Sequence, residues 1–418
     1  MSIIELSKEE RVGFKAPWIM AGVGALVLLF FGILGREGET TFILSRKDDL
    51  IQLPELVVDS NLLGTISGVL MLAMAGFSLA LAIKNRKSPR WLAVIYGFVG
   101  VVSLLAYLAT GNNVPVAFIA GTALVLAVPI MLGAMGGLMC ERVGVTNIAI
   151  EAQLLTGAFL AAVISSITDN YLFGIIAAMI GGALVSMVLA VFAIKYLAQQ
   201  IIVGVVLNVL IIGITNFLYQ QWLTEDAENV NFPGTLDIIQ IPLLSEIPVL
   251  GPVLFENRIT VFAALIIVPT LYFVLFKTKL GLRARAVGEH PLAADTVGIN
   301  VALTRFWWVT IGGMSAGLGG AALTIGSGGA FGREMAGGLG FIALAVVILG
   351  RWHPISAAFA ALLFGFSIIL RIWANQVSPG FPTDFIAMVP YVVTIIAVVA
   401  FVGQSRPPKA LAIPYTKG

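Results

Sequence analysis

Long apolar runs broken by short polar stretches fill the chain from Trp18 to Val402. A helix that crosses a bilayer needs about 20 mostly apolar residues, with a usual range of about 17–25. Twelve segments reach or approach that length. They are Trp18–Leu34, Leu62–Ile83, Trp91–Thr110, Val114–Cys140, Asn147–Ile167, Leu172–Ala193, Ile201–Tyr219, Ile259–Phe276, Phe306–Ile325, Met335–Gly350, Pro354–Leu370 and Phe385–Val402. The tenth is short and glycine-rich, and is expected as a broken or tilted helix; without it the C-terminal tail would emerge on the wrong side. The pattern predicts an all-α fold, a polytopic transmembrane helical bundle of about 12 spans with both termini cytoplasmic.

Composition agrees with this reading. Of 418 residues, 59% are hydrophobic and only 11% charged, against about 25% charged in soluble domains. A soluble fold and a disordered chain are both excluded. Lys and Arg are retained on the cytoplasmic side of short loops, and 18 of the 24 fall in the segments that cytoplasmic termini place inside. The two long outer segments, 35–61 and 220–258, are acidic. The second carries Pro233, Pro242, Pro248 and Pro252 and is read as a small external element or docking surface, or else as a solvated loop. The first span lacks a small-x-small cleavage site and is expected to stay in place.

Catalysis finds no support. One Cys (Cys140) makes no internal disulfide, two His (His290, His353) build no His-rich metal site, and a net charge of +2 gives no nucleic-acid footprint. Gly-Lys is absent, so ATP is not bound through a phosphate-binding loop, and neither His-Glu-x-x-His nor a nucleophile-elbow motif occurs. No metal and no resident cofactor are expected.

The texture changes near residue 113. Residues 1–112 read as a three-span N-terminal appendage, 113–403 as a nine-span core and 404–418 as a cytoplasmic tail. In the core, small residues recur as Gly312-x-x-x-Ala316 and Gly313-x-x-x-Gly317, spacings that let helix backbones approach closely.

Polar residues at membrane depth are functional candidates by default. Glu141 and Arg142 close a span, where paired charges commonly serve as an interfacial anchor. Asn147, Glu151 and Leu155 are spaced to share a helix face that turns inward. Glu151 then either lines a translocation path, or pairs with a neighbouring helix or caps a broken one. Asn208, Ile212, Asn216 and Gln220 form an i+4 stripe suited either to a polar, uncharged solute or to interhelical hydrogen bonding. In the loop 277–305, Pro291 suits a first helical position and Gly298 a left-handed stop, which predicts a two-turn helix over Pro291–Val297. So short a helix needs a surface, either a peripheral cytoplasmic partner or the chain's own helix ends.

Three segments, 141–153, 281–300 and 338–354, together resemble the permease subunits of ATP-binding cassette importers for simple sugars and nucleosides. The first is similar to the nucleoside-type branch, since the ribose-type branch usually reads Gly-Gly-Ile-Asp-Leu-Ser there. Departures from the family's pattern are Ala149, Ala152, His290 and Ser356, and residues 1–112 are longer than its usual N-terminus. The resemblance implies a permease in a bacterial inner membrane that uses ATP through separate ATPase subunits. Its partners would be those ATPases, a second permease, identical or related, and an extracytoplasmic substrate-binding lipoprotein. Coupling to the ATPase would fall on Gly288, Glu289, Pro291, Leu292, Ala294, Asp295, Val297 and Gly298, and the solute path on Asn147, Glu151, Asn208 and Asn216. The rivals are a gradient-driven secondary transporter with Glu151 as coupling carboxylate, and a non-transporting scaffold, which leaves the polar stripes unexplained.

Overall fold

A computed structural model of the chain describes residues 13–46, 49, 51–400 and 407–416. The start of the expected N-terminal segment, the end of the twelfth apolar segment and positions 404–406, 417 and 418 of the tail lie outside the described residues. The chain forms two compact units.

The first unit takes the described residues up to Phe118, with Glu246–Val249 and Leu370–Phe385. Helix α1 (Lys15–Val27) runs into a wider π-helical turn, Leu28–Ile33. Strands β1 (Glu39–Ile43) and β2 (Leu56–Asp59) follow, then α2 (Ser60–Ile83), α3 (Arg90–Leu108) and strand β3 (Asn113–Pro115). Asp59 caps α2 by accepting the Leu62 N–H at 2.7 Å. β1 pairs antiparallel with β2 and parallel with β3, and the Thr40 hydroxyl ties this sheet to Ser60 at 2.7 Å and to the Ala106 carbonyl at 2.9 Å. The small sheet is an addition to the all-helical expectation. Its strands are three to five residues long, too short for alternation to stand out among charged loop residues.

The second unit holds α4 (Val116–Arg142), α5 (Ile150–Thr168), α6 (Tyr171–Ala190), α7 (Gln200–Leu218) and the single turn α8 (Ala227–Val230). A two-residue ladder pairs β4 (Ile239–Gln240) with β5 (Glu256–Asn257). Then come α9 (Ile259–Lys277), α10 (Lys279–Glu289), α11 (Pro291–Thr296), α12 (Val301–Leu323), α13 (Leu339–Leu349), α14 (Pro354–Val377) and α15 (Asp384–Ala400), of which 370–377 and 384–385 belong to the first unit. At the centre α5, α6 and α12 pack backbone to backbone. A Cβ on Gly317 would stand 2.1 Å from the Ala178 carbonyl oxygen and one on Gly182 2.2 Å from that of Gly313, so only glycine fits. α5 and α12 are buried over most of their surfaces, whereas α7 is largely exposed.

Among the described residues, ten helices are long and apolar enough to cross a membrane. The segment expected at Met335–Gly350 is helical only from Leu339, an 11-residue helix about 16 Å long at 1.5 Å per residue. Residues 329–338 before it turn without regular structure, with Gly329, Glu334, Gly337 and Gly338 all at positive φ.

Candidate functional site

Polar side chains gather where α5 and α13 begin. Helix starts leave backbone N–H groups unpaired, and a buried one needs an acceptor. Glu151, buried in the first turn of α5, supplies it for α13: its Oε1 accepts the Gly338 N–H at 2.8 Å and its Oε2 the Gly340 N–H at 2.7 Å. Gly338 sits at φ +86°, and a Cβ on Gly340 would lie 2.3 Å from the Glu151 backbone nitrogen. The glycines thus bring the half-length helix close enough for one carboxyl group to hold its start.

Asn208 on α7 does the same for α5. Its Oδ1 accepts the Ala152 N–H and its Nδ2 donates to the Ile148 carbonyl, each at 2.9 Å. Asn147 lies before α5 rather than on it, because the helix begins at Ile150. The shared face with Glu151 is therefore not formed. Asn147 instead exchanges amide hydrogen bonds of 3.0 and 3.1 Å with Gln153, whose Nε2 also donates to Ser186 at 2.8 Å. Asn147, Glu151 and Asn208 all meet the start of α5.

Asn216 stands apart, two turns further along α7. Its Nδ2 donates to Glu334 Oε1 at 3.0 Å, and its buried Oδ1 has no hydrogen-bond partner among the described residues. The π-helical turn Tyr219–Leu223 ends the i+4 register before Gln220. Close by, Arg333 lies over the Tyr219 ring at 5.3 Å and Phe331 packs edge-on to Phe159 at 5.3 Å. Glu334, Gln153 and Ser186 were not singled out from the sequence. Glu334 carried one signal, an isolated acid within a glycine-rich run.

A second polar centre joins the end of α4 to the turn before α14. The Trp352 indole N–H donates to Glu141, and Arg142 donates to the Trp352 carbonyl through Nε at 2.9 Å. Arg142 and Arg285 lie over the Phe276 ring at 5.5 and 5.1 Å. His353 packs against Tyr272 and Phe276; burial and then the Arg142 charge hold its imidazole below the usual histidine range.

The loop 277–305 folds as two helices. Thr278 caps α10 by accepting the Gly281 N–H at 3.2 Å, and α10 buries Gly281, Ala284, Val287 and Gly288. Pro291 opens α11, and Gly298, at φ +84°, donates to the Asp295 carbonyl at 2.9 Å to end it. Ala294 is buried beneath α11, while Leu292 and Val297 are 65% and 74% exposed. Glu289, Pro291 and Asp295 are half-buried around them. Among the described residues no three His, Cys, Asp or Glu side chains come together as a metal site.

Densely packed apolar helices, a broken helix latched at a buried carboxyl group and an exposed two-helix loop define a multi-pass membrane permease. The family model for the permease component of branched-chain amino acid transport systems matches residues 119–398, and the chain belongs to that family. It is 40% identical over 310 residues to the guanosine ABC transporter permease protein NupQ of Bacillus subtilis, covering 71% of this chain and 95% of that one. It is 36% identical over 305 residues to the nucleoside ABC transporter permease protein NupC of Lactococcus lactis subsp. cremoris, covering 70% and 95%. To the glucose ABC transporter permease protein TsgB13 of Haloferax volcanii it is 28% identical over 328 residues, covering 71% and 84%. No solved structure matches the chain. The chain is thus a permease subunit of an ABC importer, a transport component and not an enzyme, and its family works with ATPase and substrate-binding partners. A gradient-driven transporter is not favoured.

Proposed function

We propose that this permease carries a nucleoside, and that α11 is the coupling helix through which ATPase subunits drive it. The observation that carries the coupling assignment is the exposure of Leu292 on α11 and of Val297 at its end, while Ala294 on the opposite side is buried. Two large apolar side chains on a polar loop are covered most readily by a partner's apolar groove. Gly288, Glu289, Pro291, Asp295 and Gly298 frame that contact. The nucleoside assignment is supported by the names of NupQ and NupC, each covered over 95% of its length. Twelve crossings with both termini cytoplasmic follow if α13 and α15 complete the ten long helices, in keeping with the Lys and Arg bias. Residues 1–112 are then a membrane appendage outside the family match, and 404–418 a cytoplasmic tail. The complex would sit in a bacterial inner membrane, with a second permease and an external substrate-binding lipoprotein.

Asn147, Glu151, Asn208 and Asn216 we place along the solute path in different capacities. The first three have their polar atoms engaged by the protein and shape the wall. Asn216 keeps a free acceptor, suited to a hydrogen bond from a polar solute. The test is ATP-dependent uptake of radiolabelled guanosine by Leu292→Asp with Val297→Asp in the intact transporter. Uptake should fall by about tenfold or more, within the span of ordinary coupling energies. Unchanged uptake would overturn the assignment of α11.

A further inference from the structure

Residues 407–416 lie beyond the family match, which ends at 398, yet they are fastened to α10, to the start of α12 and to the turn between α4 and α5. The Ala410 N–H donates to the Gly288 carbonyl, at the end of α10, at 2.9 Å. The Ala412 N–H donates to the Gly144 carbonyl, in the turn between α4 and α5, at 3.2 Å. Arg305, in the first turns of α12 and only 2% exposed, donates through Nη1 to the Ile413 carbonyl at 3.2 Å. Pro408 and Ala410 are buried, and Tyr415 packs against a buried apolar cluster that includes Val287 of α10, Ala294 of α11 and Val301 of α12.

We propose that this C-terminal strap is a working part of the coupling machinery, binding α10 and α11 to the α4–α5 turn so that the three move as one body. The inference rests on α11 being the ATPase contact. A six-residue helix is too short to be rigid alone, so a push on α11 travels only as far as its attachments hold. The strap supplies them. Ordering ten residues without helix or strand costs about 1–2 kcal/mol each in backbone entropy, which the three hydrogen bonds and the buried Pro408 and Ala410 must offset. Gly144 lies three residues before Asn147 and seven before Glu151. Displacing the turn therefore displaces the start of α5 and the Glu151 latch on α13.

The test uses the intact transporter with its ATPase subunits in proteoliposomes, reading ATP hydrolysis and uptake of radiolabelled guanosine together. Ending the chain after Arg406 should leave the ATPase subunits bound and hydrolysing while uptake per ATP falls about tenfold. Unchanged uptake per ATP would overturn the proposal. Should the shortened chain not assemble, hydrogen exchange on the full-length complex decides: the amides of Ala410 and Ala412 should be protected both without nucleotide and with ATP trapped. Loss of protection on ATP binding would mean that the strap detaches, and would equally overturn it. If Leu292→Asp with Val297→Asp leaves uptake intact, α11 itself is misassigned; if that variant stops uptake and the truncation does not, only the strap fails.

Discussion

Glu151 illustrates how one side chain can hold a helix that cannot hold itself. Both of its carboxyl oxygens accept backbone N–H groups of the α13 start, whereas glutamine offers one oxygen and sets an NH2 group against a donor. An unsatisfied buried donor costs about 1–3 kcal/mol. Glu151→Gln should therefore lower the thermal midpoint of the detergent-solubilised protein; an unchanged midpoint would show that the latch is dispensable. Gly340→Ala should do at least as much harm, since its Cβ would meet the Glu151 backbone at 2.3 Å. His353 gives a pH signature. Its folded-state pKa is depressed by burial and by Arg142, so the unfolded chain takes up the proton first as pH falls. The contribution of neutral His353 is present above the unfolded value, about 6.5, and is lost as pH drops through it toward the folded value. The midpoint of His353→Gln should thus vary less between pH 7.5 and 5.5 than that of the parent; equal pH dependence would contradict this.

At the scale of elements, long apolar runs were legible because each must satisfy its own backbone, which makes length and hydropathy sufficient signals. All ten long helices coincide with apolar segments read from the chain. The short helix at Pro291 was legible from its proline start and glycine stop, and ends one residue earlier than expected, at Thr296. α10 was missed because its buried positions are Gly281, Ala284, Val287 and Gly288, a weakly apolar face set among charged residues. Asn147 was misplaced for a related reason: a run that continues apolar through Ile148 and Ala149 hides a helix start set by Asn208 from a different helix. Such caps depend on tertiary packing and cannot be read from local spacing. For α7, Asn216→Leu should remove the free acceptor and weaken guanosine uptake while ATP hydrolysis persists; unchanged uptake across substrate concentrations would take Asn216 off the path.

For the whole molecule, the division of labour follows from composition. A chain of 11% charged residues with no phosphate-binding loop cannot hydrolyse ATP by that route, and hydrolysis falls to the ATPase partners with which its family works. A nucleoside importer powered by partner ATPases moves its solute only while ATP is hydrolysed. The most direct measurement is guanosine uptake by the co-purified complex in proteoliposomes, with ATP supplied or withheld and with an ionophore added. Uptake should require ATP and survive the ionophore. Uptake that proceeds without ATP and collapses with the ionophore would contradict it and return Glu151 to the place of a coupling carboxylate.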